Sequence, residues 1–270
     1  IRVVGAGAVG CLLGGLALAG GHEVSFAGSP EVAKQLALRG LRLILPDRWV
    51  RLENIRTDSG SRFKPDLTIV ALKRHQLKEF RAPYAEKGGG AWLCLNCDLH
   101  ECGAAFPAGT PLLPGYTLLT AVMLEPGRVE LASRCSWLIL PRHPLLHEAV
   151  PAWKEAGIEI LETAEAEEYA HSFFLWQLLF LPVAMCHTTC RHFLADACGR
   201  EIAAQVLEEG LAAFARLGRT LKKLPHMDPQ ELVKRIRRHP EDLAAGGLEP
   251  DREYNSLLQS ILRGKKTEVK

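Results

Sequence analysis

The sequence predicts an α/β chain: an N-terminal, doubly wound, mostly parallel sheet followed by an all-α C-terminal domain. Three observations carry this. Short apolar runs alternate with helical patterns through the first half of the chain. The first run leads directly into "VVGAGAVG", a glycine-rich loop that opens a helix. After "IEIL" (residues 158–161) the strand-like runs stop and only helical patterns remain.

The elements follow in order. "IRVV" is the first strand, and residues 9–19 form the helix behind the glycine loop. "HEVSFAG" is the second strand, and residues 30–39 the second helix. "LTIVAL" (67–72), "AWLCL" (91–95), "TLLTAVML" (117–124) and "SWLIL" (136–140) continue the sheet. Helices are then expected over residues 170–190, 195–217, 229–239 and 252–262. The change of character places a domain boundary near Thr163, giving domains 1–163 and 164–270. A chain of 270 residues accommodates two such domains.

Bulk properties narrow the partner. Apolar residues make up 47% and charged residues 24%, enough for a core that needs no staples. The net charge of +2 is interspersed, which leaves no footprint for nucleic acid, and no basic amphipathic stretch suits a membrane surface. A small molecule is the expected partner. The eight cysteines (Cys11, Cys94, Cys97, Cys102, Cys135, Cys186, Cys190 and Cys198) have mostly apolar neighbours and no secretory signal before them, so a reducing, cytoplasmic location is expected. The chain opens on Ile1 inside a strand, so its natural start is expected a residue or more upstream. The longest uncharged stretch, Ser172 to Cys186, is shorter than the roughly 20 apolar residues a membrane span requires. It also holds Gln177 and Pro182, so it is expected to be a buried helix.

Gly5, Gly7 and Gly10 have G-x-G-x-x-G spacing between a strand and a helix. In that context the first glycine permits a tight turn, the second lets the backbone approach a pyrophosphate, and the third allows close helix–strand packing. The N–H groups of Ala8 and Val9 at the helix N-terminus are then offered to phosphate. This is the Rossmann-type dinucleotide signature. An acid at the end of the second strand would bind the ribose hydroxyls of NAD and repel the phosphate of NADP. The chain has Ala27, Gly28 and Ser29 there, which favours NADP (NADPH). Ser29 also reads as the N-cap of the next helix, with Pro30 at its first position and Glu31 serving the dipole.

The segments "VVGAGAVGCLLGGLALAGGHEVSFAGS", "LTIVALKRHQ", "LNC", "LEPGRVEL" and "NSLLQSILRGKKTEV", in that order, resemble the ketopantoate reductases (2-dehydropantoate 2-reductases) over nearly the whole chain. The resemblance implies hydride transfer from NADPH to the C2 ketone of a 2-keto acid, with a lysine ammonium protonating the oxygen. It implies that Lys73 contacts the nucleotide, and that Asn96 lies by nicotinamide and substrate, with Cys97 replacing the family's glycine. It makes Ser256 a substrate-binding residue and Glu268 the acid that works beside the lysine. Each has a plainer alternative: a solvated lysine at a helix start, an asparagine closing a strand, a surface serine and a terminal glutamate. The second domain is then a helical substrate and dimerisation domain, with a homodimer the assembly expected. Family members continue for a few dozen residues beyond the Thr-Glu run, whereas this sequence stops at Lys270.

The catalytic helix departs from the family pattern. With Trp176 on the family's tryptophan, Gln177 takes the lysine position, and Leu181 and Met185 take those of two asparagines. A glutamine amide donates a hydrogen bond but delivers no proton at neutral pH. His171 and His187 are the nearest candidate donors, although a lone helix histidine is more often structural. Cys94 with Cys97, and Cys186 with Cys190, His187 and His192, have zinc-like spacing but read more simply as small buried side chains, so no metal is expected. Two functions stay open: an NADP-dependent reductase of ketopantoate reductase type, with this or another substrate, and an NADP-binding or regulatory protein that has lost turnover.

Overall fold

The computed structural model describes residues 1–57, 63–73, 76–77, 90–96, 109–132, 136–225 and 227–238. The chain divides into two compact units, Ile1–Ala166 and Glu167–Lys270.

The first unit runs β1 (Arg2–Val4), α1 (Ala8–Ala19), β2 (Ser25–Ala27), α2 (Pro30–Arg39), β3 (Leu41–Ile44), β4 (Trp49–Leu52), β5 (Arg56–Thr57), β6 (Leu67–Val70), β7 (Ala91–Leu95), β8 (Leu112–Leu118), β9 (Ala121–Glu125), β10 (Arg128–Leu131), β11 (Ser136–Pro141), α3 (Pro144–Glu155) and β12 (Ile158–Thr163). Eight strands form one sheet in the order β12-β11-β8-β7-β6-β1-β2-β5. Only the β8–β11 pairing in it is antiparallel. β6 and β7 are buried at every residue, as central parallel strands covered on both faces must be. From β1 the chain moves to β2 on one side, and β6 returns on the other. The strand order therefore reverses beside β1, the place where doubly wound sheets bind ligands at their carboxyl ends.

A second, four-stranded sheet, β4-β3-β10-β9, was not expected from the sequence. Its strands are short and half polar: Leu41 and Leu43 point inward while Arg42 between them is exposed. This sheet accounts for the composition of α1. The helix contacts β1 and β6 on one side, β3, β4, β9 and β10 on another, and α3 as well. Every residue from Gly10 to Ala17 is buried, so α1 is apolar all round rather than amphipathic. Buried Trp153 of α3 ties it down, its Nε1–H donating to the Leu13 carbonyl at 2.9 Å. The run "TLLTAVML", read as one strand, splits between β8 and β9 in different sheets. Its apolar pattern is unbroken at Leu119 and Thr120, so only the tertiary crossing from one sheet to the other divides it.

The second unit contains α4 (Ala170–Leu178), α5 (Phe180–Met185), α6 (Cys190–Ala195), α7 (Ala197–Arg216) and α8 (Pro229–Arg238). The single helix expected over residues 170–190 is interrupted twice. Pro182 has no N–H for the Leu178 carbonyl, and the Leu179 N–H turns back to Trp176 O at 3.2 Å. α5 then ends in a Schellman motif: the His187 N–H bonds Ala184 O and the Thr188 N–H bonds Val183 O. His187 holds the left-handed position of that motif, φ 50°, which Gly218 fills after α7. Thr189 and Asp196 cap α6 and α7, accepting from the N–H groups of His192 and Gly199. Arg237 of α8 forks onto Glu201 and Glu208 of α7. Among the described residues no helix is long and apolar enough to cross a membrane.

Trp153→Phe should lower unfolding stability in urea by about 1 kcal/mol, the worth of one buried hydrogen bond, and Trp153→Ala by about 3–5 kcal/mol. The Arg237 guanidinium holds the Glu201 carboxyl below its usual range. That contribution is present above the unfolded glutamate value, about 4.3, and is lost as pH falls through the lower folded one. The stability difference between wild type and Arg237→Ala should therefore be constant from about pH 6 to 8 and shrink below about pH 4 in acid unfolding.

Candidate active site

The glycine loop leaves β1 through a turn that only glycine fits. Gly5 has φ 93°, and a Cβ there would lie 2.4 Å from the Ala71 carbonyl oxygen at the end of β6. A Cβ on Gly10 would lie 2.1 Å from the Gly5 carbonyl oxygen and 3.0 Å from Val3 Cγ1. The first and third glycines are thus demanded by packing of the chain on itself. Gly7 is different. Its backbone is extended, φ −81° and ψ −170°, and among the described residues no atom beyond its chain neighbours lies within 4 Å of a Cβ placed there.

Gly7 is also the N-cap of α1, where no side chain accepts from the first turn and no acid sits within it. α2, by contrast, has both: Ser29 Oγ accepts the Val32 N–H at 3.4 Å, and Glu31 stands in the first turn. Among the described residues no side-chain cap serves the amides of Ala8 and Val9 at the positive end of the α1 dipole. Cys11, one turn along, is buried, and burial raises its thiol pKa to about 12.

Register brings further candidates alongside. Val4 pairs with Ala27 and with Val70, and Val70 pairs with Cys94, so β2, β1, β6 and β7 end level. Ser29, the glycine loop, Lys73 and Asn96 follow those ends directly. Half-buried Lys73 begins a turn in which its N–H donates to Gln76 Oε1 at 3.0 Å and its carbonyl accepts the Gln76 N–H at 2.8 Å. Asn96 is exposed with φ 55°, a left-handed conformation asparagine tolerates. Its Oδ1 accepts the Thr117 N–H at 2.7 Å, which fixes the amide and leaves its NH2 as donor. Gln76 caps this turn without the Ser or Thr that would mark a capping box, and Ala71 and Thr117 act through long-range packing with no local signal. Ser256, Glu268 and Cys97 lie outside the described residues.

A family model for Ketopantoate reductase PanE/ApbA matches residues 1–140. The chain belongs to this family. The 2-dehydropantoate 2-reductase of Pyrococcus horikoshii is 26% identical over 276 residues, spanning 100% of this chain and 86% of the relative. That of Pyrococcus abyssi is 24% identical over 283 residues, spanning 100% and 87%. Among solved structures, 2-dehydropantoate 2-reductase from Geobacter metallireducens GS-15 superposes with a TM-score of 0.80 at 19% identity, covering 99% of this chain and 89% of that one. D-mandelate dehydrogenase with NADH and anilino(oxo)acetate gives 0.76 at 17% identity, covering 99% and 88%. At such identities the superpositions speak for the fold alone.

This ketopantoate reductase-family oxidoreductase carries Gln177 half-buried near the end of α4. Leu181 is half-buried on α5 and Met185 is 80% exposed at its end. His171 packs edge-on against Phe214 with ring centroids 5.5 Å apart, and His187 is exposed, its backbone forming the helix stop. Among the described residues no three His, Cys, Asp or Glu side chains gather as a metal site.

The contrast between glycines is testable by thermal or urea unfolding. Gly5→Ala should destabilise the protein by about 1–3 kcal/mol, through strain at positive φ and the Ala71 contact. Gly7→Ala should stay within about 0.5 kcal/mol of wild type.

Proposed function

We propose that this family member is an NADP-dependent 2-keto-acid reductase, with residues 1–163 binding the nucleotide and residues 164–270 serving substrate binding and dimerisation. The observation that carries the nucleotide is Gly7: a glycine not required by the fold, at an uncapped helix N-terminus beside the sheet's switch point. The residues fit a dinucleotide. The amides of Ala8 and Val9 would take the pyrophosphate, with Lys73 as a nearby cation. No carboxylate ends β2 to claim the ribose hydroxyls, which supports NADP over NAD, with Ser29 at that end. Bound NADPH supplies a hydride to a substrate carbonyl.

The protein's own residues would do the rest. The Asn96 NH2, held in place by Thr117, donates to a substrate oxygen or to the nicotinamide amide. Ser256 is proposed to bind substrate and Glu268 to assist at the reacting oxygen, from the family correspondence alone. Gln177 stabilises developing negative charge by hydrogen bonding but leaves the proton to come from elsewhere, which costs a factor of about 10² to 10⁴ if nothing replaces it. Leu181 and Met185 remove polar partners for a hydroxyl-bearing side chain. We therefore infer a 2-keto acid with an apolar side chain as the better substrate. A second reading, an NADP-binding protein without turnover, is favoured by Gln177 itself.

Calorimetric titration should show NADPH binding to wild type, at least about tenfold weaker in Gly7→Val. Apolar 2-keto acids should show higher kcat/KM than ketopantoate, and Gln177→Lys with Leu181→Asn and Met185→Asn should raise ketopantoate kcat by about 10² or more. Absence of binding to NADPH and NADH alike sinks the nucleotide assignment. Binding without reduction of any 2-keto acid selects the second reading.

A further inference from the structure

The outward face of the second sheet holds a row of positive charge with no part in binding at the glycine loop. Arg51 of β4 pairs directly with Arg42 of β3, and Arg42 with Arg128 of β10. Glu125 of β9 ends the row. Residues opposite one another in register share a face at a spacing of about 5 Å. Arg39, from the last turn of α2, joins them around a groove of about 330 Å³ edged by Leu38 and the Pro126–Gly127 turn. The groove backbone is fixed, the Arg42 N–H donating to Gly127 O at 2.8 Å.

Like charges directly opposite one another weaken a sheet. Neutralisation here is partial: Arg128 meets Glu125 at 3.6 Å and Arg51 meets Glu53 at 3.0 Å. Among the described residues Arg39 and Arg42 have no ion pair. The packing on α1 comes from the other face of the same strands, with Leu41, Leu43 and Val129. Trp49, two residues before Arg51 and hence on the same side of β4, is 71% exposed. A flat aromatic surface therefore stands beside the guanidinium row.

We propose that this face binds a nucleoside di- or triphosphate, with Arg42, Arg51, Arg128 and Arg39 taking the phosphate chain and the Trp49 indole stacking on the base. Guanidinium forks match phosphate oxygens bidentately, and their repeat along the row suits consecutive anionic groups. The groove volume falls at the small end of the range for small-molecule sites, roughly 300–1,000 Å³, too small for a macromolecular footprint. The base gives Trp49 a partner that a bare polyanion lacks.

The test uses the whole chain saturated with NADPH, so that the glycine loop does not compete, and repeats it in Gly7→Val should NADPH fail to bind. ATP and inorganic tripolyphosphate are titrated by calorimetry at low and physiological salt. Expected are 1:1 binding of both, weaker at higher salt, and at least a tenfold loss in Arg42→Ala. Trp49→Ala should weaken ATP about fivefold and leave tripolyphosphate unchanged. Arg42→Gln without ligand should raise Tm, since it relieves the row, and Arg128→Gln and Arg51→Gln should repeat the loss of affinity. No binding of either probe at low salt, binding that Arg42→Ala leaves within twofold, or an equal effect of Trp49→Ala on both probes would overturn the proposal.

Discussion

The N-terminal unit depends on one helix being enclosed on its sides while its first turn stays open. α1 lies against β1 and β6, carries the second sheet on another side and is pinned by Trp153. That enclosure fixes the Gly5–Gly10 loop, because Gly5 must pass under the Ala71 carbonyl and Gly10 must pass over Gly5. A helix enclosed in this way, with neither cap nor acid at its N-terminus, presents aligned amides suited to an external anion. Lys73 and Asn96 gain their places from the same constraint, since β6 and β7 end level with β1 in a common register.

Much of this was legible in the sequence. β7 and α2 occur over the residues their patterns mark, because a short apolar run and a Ser-Pro-Glu helix start are local signals. The glycine spacing located the loop, and β2, Ser25–Ala27, falls within the run "HEVSFAG". The second sheet was not legible: "LRLI" and "WVRL" are four residues each, with arginine at alternate positions, too short and too polar to stand out from loop. The division of "TLLTAVML" and the orientation of Asn96 by Thr117 are tertiary effects without a local signature. The break at Pro182 was present as a local signal, outweighed by the apolar length of the run around it.

Family membership and local chemistry pull in different directions in the helical unit. The apolar stretch that holds Gln177 is two short helices joined at Leu179, and the backbone of His187 stops the second. Of this pair α4 packs on α7 and α8, and Phe173, Trp176 and Val183 are buried. Gln177, near the end of α4, carries no ionisable group.

The central claim is that the open first turn of α1 receives a dinucleotide. Amide hydrogen exchange with and without NADPH tests it most directly. Slowed exchange at Ala8, Val9 and the neighbouring Ala71–Lys73 amides, with little change on the second sheet, is the expected result. Exchange at those amides unaffected by saturating NADPH, with protection elsewhere, would contradict it.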